Sequence, residues 1–186
     1  MRLDIDYNEQ WFLHVRDPAA ADGDPQALAW ARQVVSEFNL VAEWSDAESK
    51  DELVATVLEQ STLFTTDVAA GFLYCPRGLP ATAVVEVALT EVEGSGALAA
   101  LDGIPTDETA LPRQVVDVSA SHLGEGVLVH GVAVAGPEKD LVAIATYSFV
   151  TDGAHVMVTI TSPDLDAITL GRPHFDEFVD GIVVHD

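Results

Sequence analysis

Apolar and polar residues alternate in four consecutive runs between positions 114 and 162, and a period of two predicts β-strands. The runs cover residues 115–120, 127–135, 141–150 and 154–161. Turn-forming residues separate them, including the dipeptide Asp152-Gly153, which favours a two-residue hairpin turn. Because loops this short connect only antiparallel neighbours, we expect a four-stranded antiparallel meander.

The third run differs from the others because it is apolar on both faces. Val142 and Ile144 share one face, whereas Ala145, Tyr147 and Phe149 share the other. A strand that is apolar on both faces is covered on both faces. We therefore expect this strand in the interior of a sheet that has helices packed on each side.

Two helices are predicted before the sheet. Asp24 and Pro25 suit an N-cap and a first helical position, and apolar residues follow every three or four positions. Ser45 and Glu48 have the spacing of a capping box, which indicates the start of a second helix. The expected inward-facing residues are Leu28, Ala31, Val35 and Phe38 in the first helix and Leu53, Val54, Val57 and Leu58 in the second.

Two helical pieces are predicted after the last strand. Ser162 and Pro163 suit an N-cap and a first helical position, and they indicate one short helical turn. A second piece begins at Pro173 and has apolar residues at helical spacing. Those residues are Phe175, Phe178, Val179 and Ile182.

Shorter apolar runs complete the predicted fold. Residues 1–15 indicate one or two strands, residues 71–75 and 81–92 indicate two more, and residues 94–112 have the glycine and proline content of a loop. The chain is predicted to be one α+β domain over residues 1–186. Its antiparallel β-meander sheet is flanked by N-terminal helices and a C-terminal helix, which makes an α/β/α sandwich.

The charge of the chain limits the classes of partner. There are 31 acidic residues against 8 lysines and arginines, a formal net charge of -23. The mean hydropathy of +0.22 still indicates enough apolar content to fold. Because lysine and arginine drive binding to phosphate backbones and anionic lipids, we expect neither a nucleic acid nor a membrane partner. A basic protein partner, a divalent cation or a high-salt cytoplasm fits this charge, and so does the ordinary composition of proteins from a high-GC or salt-adapted organism. Homo-oligomers are also compatible, because salt screens charge within about 8 Å.

The distribution of charged and apolar residues also predicts where in the cell the protein is located. The first residues lack a basic segment followed by an apolar stretch, so we expect no secretory signal and a cytoplasmic protein. No apolar run has the length of a membrane span. The lone cysteine, Cys75, lies at the end of an apolar strand and is interpreted as a buried structural thiol.

Candidate chemistry is sparse. The chain has no nucleophile elbow, phosphate-binding glycine motif or closely spaced metal ligands, so we predict no catalytic residue, cofactor or metal. His130 interrupts the apolar row of the second run, which leaves either a core histidine or a ligand-binding one. The residues that a site assembled across the sheet would use are His130, Asp117, Tyr147 and His155. The candidates for partner binding are positions expected in loops: Trp44, Arg77, Arg113 and Arg172.

The second half of the chain resembles a known family. A long meander, the final strand at 155–161, the break at Ser162-Pro163 and a terminal helix carrying Phe175 and Phe178 are similar to PsbP-like α/β/α sandwich domains, which include Mog-type Ran-binding factors. The resemblance covers about residues 81–184 and is one of pattern. It implies a non-catalytic accessory or binding protein, with no catalytic residues to carry over.

Three functions follow as hypotheses. The first is a cytoplasmic bacterial accessory module that binds a protein partner. The second is a small-ligand-binding protein or enzyme with a site assembled across the sheet. The third is an acidic inhibitor or immunity protein that acts against a basic target.

Overall fold

A computed structural model describes residues 1–15, 25–42, 47–61, 68–76, 83–92, 110–135, 140–151 and 153–185. The helices are α1 (Pro25–Ala42), α2 (Ala47–Ser61) and α3 (Ala167–Asp180). The strands are β1 (Arg2–Ile5), β2 (Phe12–Val15), β3 (Ala70–Tyr74), β4 (Ala83–Glu91), β5 (Gln114–Ala120), β6 (Gly124–Ala135), β7 (Asp140–Thr151), β8 (Ala154–Ser162) and β9 (Ile182–His185).

Within the described residues, the main sheet has seven antiparallel strands in the order β2-β3-β4-β8-β7-β6-β5. The predicted meander is confirmed as β5 to β8. Thr151 pairs with Ala154, so two residues connect β7 to β8, and Gly153 has a φ of 80°. Gly124 begins β6 with a φ of 78°. Positive φ values favour glycine because it has no Cβ, so the glycines in the sequence correctly predicted where these turns occur.

Helices cover both faces of the sheet, which confirms the expected α+β sandwich. On one face, α3 buries Phe175 and Phe178 against β2, β3, β4 and β8. On the other face, α1 and α2 pack on Leu13, Leu73 and Cys75. The predicted inward residues of these two helices are buried or half-buried, apart from Leu28, which is exposed, and Phe38, whose side chain lies outside the described residues.

Strand β7 lies inside the sheet between β8 and β6, as its two apolar faces predict. Tyr147 and Phe149 are buried on the face that α3 covers. The polar residues Thr146 and Ser148 alternate with them, and they are buried on the other face. The strand is therefore enclosed on both sides, with a polar stretch on the face opposite α3.

The C-terminal segment differs from the prediction. Instead of two pieces, one helix runs from Ala167 to Asp180 and passes through the exposed Pro173. Proline in a helix interior costs about 3 kcal/mol, whereas burying a phenylalanine contributes about 1.5–3 kcal/mol, so Phe175 and Phe178 together offset it. Ser162 ends β8, and its hydroxyl accepts a hydrogen bond from the Asp164 backbone N–H at 3.0 Å. A single turn follows, in which the Ala167 N–H donates to the Asp164 carbonyl oxygen at 3.2 Å.

A second, two-stranded sheet was not predicted. Strand β9 pairs with β1 in antiparallel register, and Ile182 pairs with Ile5 instead of continuing the helical stripe. Gly181 approaches the backbone of Asp6 so closely that a Cβ at position 181 would overlap the Asp6 carbonyl oxygen. The contact joins segments at opposite ends of the chain, which explains why local periodicity missed it.

Polar contacts fix α3 over one side of the sheet. His174 stacks on Trp11 with ring centroids 4.0 Å apart, and its Nδ1 lies 2.7 Å from the Tyr74 hydroxyl. At the other end, the Asp180 carboxylate accepts a hydrogen bond from the Ser121 backbone N–H at 2.7 Å. The helix is thus held at the residue before β2, at β3, and at the turn between β5 and β6. Its remaining flank faces β5 and β6.

Several predictions lie outside the described residues: those on Trp44, Arg77, Asp24, Ser45 and most of the expected loop at 94–112. None of the helices in the described ranges has both the length and the apolar character needed to cross a lipid bilayer.

Candidate functional site

A groove runs alongside α3 on the sheet face that this helix covers. The register places three rows of side chains across β5, β6 and β7 on that face. The rows are Gln114, His130 and Ala145; Val116, Leu128 and Tyr147; and Val118, Gly126 and Phe149. Helix α3 contributes Ile168, Thr169, Arg172, Asp176 and Val179, and the loop before it contributes Leu165. Two cavities lie between these strands and α3, and we call the two cavities and the row of side chains between them the α3 groove.

The larger cavity of the α3 groove is a cleft of about 420 Å³ beside the first turn of α3. Its polar lining consists of Arg113, Gln114, His130 and Thr169. Its apolar lining includes Leu111, Pro112, Val132, Ala143, Leu165 and Ile168. This volume falls in the range of sites that hold a small ligand or a large side chain, and a mainly apolar surface with a few polar groups is typical of them.

A smaller hollow of about 190 Å³ lies further along the groove, where three polar side chains meet. The Tyr147 hydroxyl donates a hydrogen bond to Asp176 Oδ1 at 2.6 Å, and Arg172 Nε donates to the same oxygen at 2.7 Å. The Arg172 guanidinium also lies 5.8 Å from the centre of the Tyr147 ring. Burial, and then the Asp176 carboxylate, raise the pKa of Tyr147, so its hydroxyl stays protonated and acts as a donor.

The outer wall of the groove is an edge strand. Among the described strands, β5 pairs only with β6 and stands last in the order of the sheet. Val116 faces the groove and is 41% exposed, while Val115 faces the other way and is 57% exposed. Large apolar side chains are thus exposed on both faces of this edge.

The four residues predicted for a site across the sheet are divided between its two faces. His130 and Tyr147 line the α3 groove, His130 in the cleft and Tyr147 in the smaller hollow. Asp117 pairs with Val127 and His155 pairs with Val150, and the register turns both to the opposite face. The structure therefore brings two of the four into one groove and separates them from the other two.

His155 and Ser148 have the spacing of a nucleophile and a base. The Ser148 hydroxyl lies 2.9 Å from His155 Nε2, and burial lowers the pKa of His155, which favours the neutral imidazole. Ser148 is, however, only 4% exposed. A buried hydroxyl cannot attack a substrate from solvent, so this hydrogen bond satisfies two partly buried polar groups.

Arg113, Arg172 and Cys75 were singled out in the sequence for partner binding or as a structural thiol. Arg113 lines the cleft. Arg172 was expected in a loop but lies within α3. Cys75 is fully buried, and burial raises the pKa of its thiol, which fits a structural role. Within the described ranges, no group of three or more histidine, cysteine, aspartate or glutamate side chains is placed to hold a metal ion.

Sequence reasoning missed the helix wall of the groove. Thr169 was not singled out because the predicted helix began only at Pro173, and Asp176 was missed because only the apolar face of that helix was considered. A helix extended back to Ala167 places Ile168, Arg172 and Asp176 four residues apart on one face. The Arg172 and Asp176 pair at this spacing was the signal that could have located the wall.

Comparison with known proteins gives little beyond this geometry. No protein-family model matches the chain, and no curated protein matches it. A crystal structure from Bacteroides thetaiotaomicron VPI-5482 is similar at 10% identity and a TM-score of 0.42, covering 66% of this chain and 41% of that one. LpqN, involved in cell envelope biogenesis of Mycobacterium tuberculosis, is similar at 15% identity and a TM-score of 0.41, covering 66% of this chain and 76% of that one. This chain thus spans less than half of the Bacteroides protein, and likenesses this weak carry no functional argument.

Proposed function

We propose that this protein is a non-catalytic binding module for a protein partner. An extended segment of the partner pairs with the outer edge of β5, and alternate side chains of that segment enter the α3 groove. The observation that carries the proposal is that β5 is an edge among the described strands, with exposed valines, and lies beside two cavities that α3 lines.

Edge strands present backbone N–H and C=O groups that can pair with another chain. Proteins usually protect such edges with proline, lysine, a bulge or a very short strand. Strand β5 has seven residues, contains neither proline nor lysine, and pairs with β6 in continuous register. Its edge therefore suits the addition of a strand from a partner, a recurring mode of peptide recognition.

The groove supplies specificity for such a strand. Side chains of an added strand alternate between faces, so every second one points towards α3. They would follow the line of Gln114, Val116 and Val118, which leads from the cleft to the smaller hollow. The cleft can receive one large apolar side chain, and Arg113, His130 and Thr169 can bind polar atoms next to it.

The wider setting belongs to the same proposal. The pattern-level resemblance to PsbP-like domains supports an accessory role, since members of that family are mostly non-catalytic. We also propose a cytoplasmic location in a bacterium, where the single cysteine, buried as it is, would stay reduced. Fractionation of cells that express the full-length protein with a tag would test that location.

Selection of peptides tests strand addition at β5 directly. We expect a random 12-residue peptide library, selected against the full chain, to enrich sequences in which apolar residues alternate. In Val116→Asp a carboxylate faces the groove, and we expect it to weaken the selected peptide at least about tenfold. Leu170→Asp is the matched control, because Leu170 is 76% exposed on α3 and does not line the groove, so binding should not change.

Amide hydrogen exchange provides a second readout that does not depend on substitution. Pairing with an added strand should slow the exchange of β5 amides when the peptide is bound, and leave β2 and β3 amides unchanged. Failure to select any peptide, or equal affinity for Val116→Asp and wild type, would rule out docking at β5.

A small-ligand-binding function is the second candidate, and the polar groups of the cleft favour it. Arg113 and His130 lie at one end of a mainly apolar volume, which suits a molecule with an anionic head and an apolar body. A series of fatty acids of increasing length provides the probe. Stabilisation against heat by these acids, lost in Arg113→Gln and retained in the surface variant Arg32→Gln, would support it.

A further inference from the structure

We propose that the partner segment is a strand whose apolar residues face α3 and alternate with basic residues on the opposite face, where they lie beside Asp117. This inference rests on the proposed docking at β5 and adds the chemistry of the partner. Its basis is the charge on the face of β5 that points away from the groove.

That face of the edge is acidic. Asp117 and Ser119 are exposed on it, and Ser119 pairs with Glu125 on β6, so a second carboxylate lies one diagonal position from Asp117. Strands β5 and β6 contain no lysine or arginine. Within the described ranges, neither carboxylate forms an ion pair with a basic side chain. A strand added to β5 would thus meet two carboxylates that no described basic side chain pairs with.

The spacing of side chains on paired strands determines which partner residues lie close to Asp117. Directly opposed residues on neighbouring antiparallel strands have Cβ atoms about 4.5–5.5 Å apart, and an opposite-charge pair there favours pairing. One lysine or arginine of the partner would lie beside Asp117. The flanking partner residues would point to the other face, towards Val116 and Val118, where apolar side chains fit best.

The net charge of the chain favours the same occupant. At -23, the protein attracts a basic segment from a distance and repels an acidic one. A second copy of this chain would bring an equally acidic surface to β5, so a basic partner is the complementary occupant. The interaction should weaken with added salt, because ions screen the exposed carboxylates.

Three synthetic nonapeptides with blocked ends test the inference. In all three, valine alternates with a second residue: lysine, glutamate or serine. Binding to the full chain is followed by NMR titration at 20 mM and 500 mM sodium chloride. We expect the lysine peptide to bind at least about tenfold more tightly than the glutamate peptide at low salt, with a smaller ratio at high salt.

Charge reversal at the edge locates the effect. In Asp117→Lys the preference should shift towards the glutamate peptide by about tenfold, since an attractive pair becomes a repulsive one. Asp51→Lys on α2 is the matched control: it changes the net charge equally at an exposed site away from β5, and it should leave most of the preference intact.

The outcomes separate this inference from the proposed function. Equal binding of all three peptides, weakened by Val116→Asp, would overturn the basic partner and leave docking at β5 standing. Equal effects of Asp117→Lys and Asp51→Lys would also overturn it, because the preference would then reflect net charge alone. Peptide binding that Val116→Asp does not affect would overturn both proposals. Circular dichroism of each variant confirms that it is folded.

Discussion

Gly126→Ala is expected to destabilise the protein strongly, because no space exists for a side chain at this position. Gly126 pairs with Phe149, and the Phe149 ring lies across it on the floor of the α3 groove. A Cβ at position 126 would lie 2.5 Å from the Ser148 carbonyl oxygen and 2.6 Å from Phe149 Cε1, and it would overlap Phe149 Cδ1. Both neighbours belong to an interior strand, and Phe149 is 1% exposed, so neither can move freely.

The structure gives the expected size of this effect. Overpacking of a core costs about 1–3 kcal/mol, and we place Gly126→Ala at the upper end because one of the clashes is with backbone. For a chain of this size, 1 kcal/mol shifts the melting temperature by about 2–4 °C. We therefore expect a loss of about 3 kcal/mol in the free energy of unfolding and a melting temperature lower by about 6–12 °C.

Gly131→Ala is the control within the same strand. A Cβ at position 131 would have Arg113 as its nearest neighbour at 3.8 Å, an ordinary van der Waals distance. Since glycine costs about 0.5–1 kcal/mol relative to alanine inside a strand, this variant should be neutral or slightly more stable. Urea denaturation measures both. Equal stability of Gly126→Ala and wild type, or an equal loss in Gly131→Ala, would show that the packing of Phe149 on β6 is not as described.

Three further substitutions test buried or partly buried polar side chains. Tyr147→Phe removes the hydrogen bond to Asp176 and should cost about 1 kcal/mol in urea denaturation; an unchanged midpoint would contradict the role of this contact. Burial lowers the pKa of His155 below 6.5, so the folded protein favours the neutral imidazole. The protein therefore loses stability as the pH falls below 6.5, where the unfolded chain binds a proton more readily than the folded one. His155→Gln should flatten the fall in melting temperature between pH 7 and pH 5, and a parallel fall in both proteins would refute this. Burial raises the pKa of Glu86 above 4.5, so the folded protein loses stability as the pH rises through that pKa and the buried carboxyl ionises. Glu86→Gln should therefore have a higher melting temperature than wild type at pH 7 and a similar one at pH 4. A lower melting temperature for the variant at pH 7 would contradict this prediction.

The alternation of apolar and polar residues was sufficient to predict the meander. Strands β5 to β8 follow from alternation and from turn residues such as Gly153, both of which act over a few neighbouring positions. The enclosure of β7 followed from its two apolar faces. Helix α3 was only partly predicted, because Pro173 signals a helix start and the packing of Phe175 and Phe178 outweighs that signal.

The candidate site was harder to predict from the sequence than the fold. His130 stood out because it interrupts an apolar row, and it does line the cleft. Asp117 and His155 were grouped with it, yet the register turns them to the opposite face. Which residues share a face across four strands depends on pairing register, and a shift of one residue reverses the face.

By itself, the sequence determined the fold class, the four-stranded meander, the presence of helices on both faces and a strong negative charge. Each of these depends on local periodicity, turn chemistry or composition. Only the tertiary structure decided that β5 is an edge, that α3 leaves a groove beside it, and that Tyr147 meets Arg172 and Asp176 there. These features arise from contacts between distant segments, where packing of the whole core selects one arrangement that no short stretch specifies.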